Sequence, residues 1–130
     1  MSNAVVIEEN RPGVPPEQRC RAISVDCDGE VGFLGHVLLS RFADYHHVSA
    51  LIDQGCTGSV GLFPNDDEPA MVEHPAFVGR GAMALEMEVA ASRGVAQHTY
   101  IFNHLTGLWS YNYVHDLRYE VDLLGEGVRP

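Results

Sequence analysis

The sequence predicts an α+β domain in which one long helix lies on a curved antiparallel sheet. Three observations carry this: a single amphipathic stretch over residues 36–55, strict alternation of apolar and polar residues over much of 81–123, and Gly-rich turns between the alternating runs. The chain has 130 residues, enough for one core, with 45% apolar and 20% charged residues, as in ordinary globular proteins.

In chain order, residues 1–17 carry Pro12, Pro15, Pro16, Gly13 and several acids, and read as an extended N-terminal arm ahead of a single domain spanning 18–130. Residues 19–26 form the first strand, with Cys20, Ala22 and Ser24 on one parity and Arg21, Ile23 and Val25 on the other. After a Gly-rich turn at 29–35, Leu38, Phe42, Tyr45, Ser49 and Ile52 recur at helical spacing. They define one helix of about five turns, with Gly55 as its C-cap.

Residues 56–69 form a loop. Residues 81–91 set Met83, Leu85, Met87 and Val89 against Glu86 and Glu88, and residues 95–104 set Ala96, His98, Tyr100 and Phe102 against Gln97, Thr99 and Asn103, so both read as strands. Leu105-Thr106-Gly107 is the turn between the second of these and a long final strand over 108–123.

Eight basic residues face 18 acidic ones for a formal net charge of −10, which repels nucleic acid and anionic membranes. Every basic residue is Arg, so Lys Schiff-base and Lys-anchored pyridoxal chemistry are excluded, and no cofactor is expected. Cys20, Cys27 and Cys56 are odd in number and lack CxxC spacing, which fits reduced thiols in a cytoplasmic protein. No signal peptide and no membrane span are legible. The seven His residues show no HxxxH or HExxH spacing, so no metal site is expected.

Three segments together resemble the hot-dog-fold thioesterase superfamily, in its 4-hydroxybenzoyl-CoA thioesterase-like branch, over roughly residues 22–130. They are Val25-Asp26-Cys27-Asp28 followed by Gly35-His36-Val37 and the helix; Glu73-His74-Pro75-Ala76-Phe77-Val78-Gly79 before a strand; and Phe102-Asn103-His104-Leu105-Thr106-Gly107-Leu108-Trp109 with the terminal Gly125-Glu126-Gly127-Val128-Arg129-Pro130. The chain departs from the family pattern by Gly29-Glu30-Val31-Gly32-Phe33-Leu34, which intervene before the helix-start glycine.

The resemblance implies a long central helix wrapped by the sheet, and hydrolysis of an acyl-CoA or acyl-carrier thioester by a homodimer or homotetramer. Thioester hydrolysis needs a carboxylate as nucleophile or general base and donors for the developing oxyanion. The resemblance places Asp28 in the first role, with Asp26 and Glu30 as rivals, and Gly35 and His36 at the helix N-terminus in the second. Each of these aspartates is equally at home in turn chemistry, and His36 as a polar cap.

Cys27, between two acids, is a poor nucleophile. Asp44 reads as solvated helix surface and Tyr45 as core. Trp109, Tyr111 and Tyr113 are open between core and a dimer or ligand surface. Arg80, Arg93, Arg118 and Arg129 are the candidate contacts for CoA phosphates. A hydratase of the same fold lacks its Asp-x-x-x-x-His helix motif here. The non-enzyme alternative, favoured by the low basic content, is a hot-dog protein that binds an acyl thioester or small apolar ligand without turnover.

Overall fold

The computed structural model describes residues 3–57 and 74–128, and side chains as far as residue 123. It is an α+β structure whose single sheet of six strands is mixed and open, in the order β3-β2-β1-β4-β5-β6. The strands are β1 Ala4–Glu9, β2 Cys20–Val25, β3 Phe77–Gly79, β4 His98–Asn103, β5 Leu108–Tyr111 and β6 His115–Asp116. The helices are α1 His36–Arg41, α2 Tyr45–Asp53, α3 Ala82–Arg93 and α4 Leu117–Val128.

The expected N-terminal arm instead supplies the central strand. Ala4, Val5, Val6 and Ile7 are apolar on both parities, so the run satisfies a position covered on both faces, and all four are buried. β1 pairs antiparallel with β2, Ala4 opposite Val25, and parallel with β4, Ala4 opposite His98. The sheet is therefore not the wholly antiparallel one expected.

The parities expected for β2 and β4 hold. Ile23, Val25, Tyr100 and Phe102 join Ala4 and Val6 in a core under α1 and α2, with Leu38, Phe42, Val48, Leu51 and Ile52. Cys20, Ala22 and Ile101 join Val5 and Ile7 on the opposite face, under Leu85 and Val89 of α3. Each large apolar side chain so buried contributes about 1.5–3 kcal/mol.

The single long helix expected over 36–55 is two short ones. Phe42 leaves helical geometry at φ −127° and ψ 63°. Asp44, in extended conformation, caps α2 by accepting from the His47 N–H at 3.0 Å. Trp109 Nε1 donates to the Phe42 carbonyl at 2.7 Å, pairing a group that the break takes out of the helix.

Two expected strands are helical in whole or in part. Residues 81–91 wind into α3, because Leu85 and Val89 are separated by four residues and serve a helix face as well as a strand face. Residues 108–123 divide into β5, a turn with Asn112 and Tyr113 at positive φ, the short β6, and α4. Phe77-Val78-Gly79, expected to lead into a strand, is itself the short strand β3 and leads into α3, and residues 58–69 of the expected loop lie outside the described residues. Among the described residues no helix is long and apolar enough to cross a membrane.

Candidate functional site

The Asp26–Asp28 turn follows β2 and is fixed by two hydrogen bonds. Asp26 N–H donates to the Thr57 carbonyl at 3.1 Å, and Tyr100 Oη donates to the Gly29 carbonyl at 2.6 Å. Gly29 is required by close approach, since a Cβ there would stand 2.8 Å from the Ala4 Cβ. Asp28 is exposed and adopts φ 59°, the left-handed region that aspartate tolerates. Asp26 is exposed, with its carboxylate 3.8 Å from Arg93 Nη2.

Gly35 and His36 do not form a bare helix N-terminus. The intervening residues wind into a wide π-type turn, Val31–Gly35, whose N-cap is Glu30, and this turn runs directly into α1. His36 N–H donates to the Phe33 carbonyl, and Gly35 is buried, with the position of a Cβ 3.1 Å from Leu117 Cδ1 of α4. The two aspartates are thus on one exposed turn, while Gly35 serves helix packing and the His36 side chain faces solvent.

A buried charge network was not legible. Glu8 is 0% exposed on β1, where its carboxylate accepts from Arg21 Nε at 2.7 Å, contacts His104 Nε2 at 2.7 Å and accepts from Ser49 Oγ at 3.3 Å. Arg21 also bonds Asp53 Oδ1 at 2.5 Å and the Ser49 carbonyl at 3.2 Å. The carboxylate sits between Ser49 and His104, so no serine–histidine–acid relay is formed; the group ties β1, β2, α2 and the turn after β4 together. The signal in the sequence is Glu8 on the parity of Ala4 and Val6, directly opposite Arg21.

A cavity of about 280 Å³ opens on the α3 side of the sheet. Its floor is formed by Glu9 and Asn103, at the ends of β1 and β4, with Leu108 and Ser110 of β5; Tyr113, Val114 and Asp116 form one wall. α3 packs on β1, β2 and β3, and its Glu86 buttresses the Tyr113 wall from behind, accepting from Thr99 Oγ1 at 2.9 Å and from the Tyr113 hydroxyl. Burial raises the Glu9 carboxyl above its ordinary range. Tyr113 is raised too, first by burial and then by the hydrogen bond and charge of Glu86 and the charge of Glu9.

Tyr113 was among the aromatic residues left open by the sequence. Glu9 was hidden in the N-terminal segment read as an arm. Among the described residues no group of three or more His, Cys, Asp or Glu is arranged to hold a metal ion. No family model matches the chain, and neither a curated protein nor a solved structure matches it.

Proposed function

We propose that this chain acts by binding a partner in the groove formed by the ends of β1 and β4, by β5 and by the β5–β6 turn, and not by turning over a thioester. The observation that carries this is the engaged helix entrance: the His36 N–H is spent on the Phe33 carbonyl, so the amide expected to share an oxyanion with Asp28 is already occupied. The groove, by contrast, combines apolar walls with carboxylate and amide groups, as binding sites do. Its volume of about 280 Å³ falls below the ~300–1,000 Å³ of sites for drug-sized ligands, so it accepts a side chain or short acyl head but not a whole CoA ester.

Thioester hydrolysis is the second reading, favoured by the ordered, exposed Asp26–Asp28 turn beside Arg93. In the same reading the fold is a hot-dog. The helix layer on one sheet face supports that topology, and the parallel β1–β4 pair and the break at Phe42 weigh against it.

Thiol release from short, aromatic and long acyl-CoA esters separates the two. Binding predicts no release above background from any ester, in the wild-type chain and in Asp28→Asn alike. Turnover that Asp28→Asn abolishes would establish the hydrolase, and turnover that falls with Glu30→Gln would move its base to Glu30.

A further inference from the structure

Resting on the binding reading above, we infer that the occupant of this groove is a basic segment of a partner protein that carries an apolar anchor residue. The rim is apolar and open. Leu108 and Val114, both lining the groove, are 58% and 75% exposed, and Tyr113 beside them is 43% exposed. Apolar surface gathered around a cavity of side-chain size is the shape of a pocket for an anchor.

Charge selects the class of partner. Glu9 and Asp116 lie in the groove and Glu86 stands behind Tyr113, within a chain of net charge −10 that has no Lys. The arginines Arg21, Arg80 and Arg93 are turned to carboxylates elsewhere: Glu8 and Asp53, Glu17, and Asp26. Such a field speeds encounter with cationic partners and disfavours acidic ones. A second copy would bring the same carboxylates against each other across a self-complementary interface, which disfavours it as the occupant.

The test is selection of a random-peptide display library on the immobilised full chain. Enriched peptides are then synthesised and titrated at low and high salt, with the single tryptophan, Trp109, as fluorescent reporter. Expected are Arg- or Lys-containing sequences with a Leu, Ile, Phe or Trp anchor. Their affinity should fall about tenfold in Glu9→Gln and in the double variant Leu108→Ser/Val114→Ser, the scale of losing one interface anchor. It should also weaken with salt and be unchanged in Asp122→Asn on α4.

Peptides without net positive charge that still lose affinity in the Leu108/Val114 variant would leave groove binding standing and overturn the basic partner. Peptides indifferent to both groove variants, or no enrichment at all, would overturn both. A dimer in solution that the Leu108/Val114 variant dissociates would make a second copy the occupant.

Discussion

Glu8 shows how much one residue can commit a small domain. With its carboxylate fully buried, its stability depends on Arg21 and His104, and removing one partner of a buried ion pair costs about 3–5 kcal/mol. Arg21→Met should therefore destabilise by that amount in urea unfolding, while Glu8→Leu/Arg21→Met together should cost less, because the uncompensated charge is gone. Equal losses would show that the network contributes packing alone. His98 offers a pH readout. Burial lowers its proton affinity, opposed by the charge of Glu30, and its Nδ1 lies 2.7 Å from the Tyr111 hydroxyl. The unfolded chain binds that proton more readily, so stability is full above the ordinary histidine range near 6.5 and is lost as pH falls through it. His98→Gln should flatten unfolding midpoints measured between about pH 7 and 5; an unchanged slope would assign the dependence elsewhere.

At the scale of elements, α3 is the sharpest case. A helix over Ala82–Arg93 predicts that Leu85→Ala costs about 2–5 kcal/mol, that Ala84→Gly costs about 1 kcal/mol, and that Met87→Ala lies within about 0.5 kcal/mol of wild type. A strand would make Leu85 and Met87 equivalent, so matched losses in calorimetry or urea titration would contradict the helix. The same comparison shows why the sequence misleads here. Met83, Leu85, Met87 and Val89 alternate perfectly, yet only the four-residue pair Leu85 and Val89 is buried. The overriding signal was propensity: Ala, Met, Leu and Glu fill the segment, and Gly94 closes it at φ 99°.

Elsewhere local pattern sufficed. The parities of β2 and β4 and the Gly107 turn follow directly from alternation and turn chemistry, whereas Asp44, read as solvated helix surface, is the N-cap that splits the long helix. What alternation cannot reveal is pairing between distant segments. The parallel register of β1 with β4 joins residues some ninety positions apart, and with it the groove at Glu9 and Asn103. The aspartates of the turn after β2 were legible as residues, but their separation from any helix-end donor depends on the turn Val31–Gly35 winding into α1.

For the whole molecule, the central place of β1 makes the N-terminal segment indispensable. Deleting residues 1–9 would remove Val5, Val6, Ile7 and Glu8 from between two layers, and the truncated chain should show no cooperative thermal transition; a retained transition would return that segment to the status of an arm. Function, on this account, is set at the same scale. The ends of β1 and β4 meet β5 and the β5–β6 turn on one sheet face, leaving an acidic, partly apolar groove in a strongly acidic chain. The most direct test is an amide-resolved NMR titration of the full chain with a peptide selected on it. The account predicts shifts concentrated at Glu9, Glu86, Asn103, Ser110 and Tyr113, with the Asp26–Asp28 turn and His36 unmoved. Shifts centred on Asp26, Asp28 and His36, with the groove silent, would contradict it.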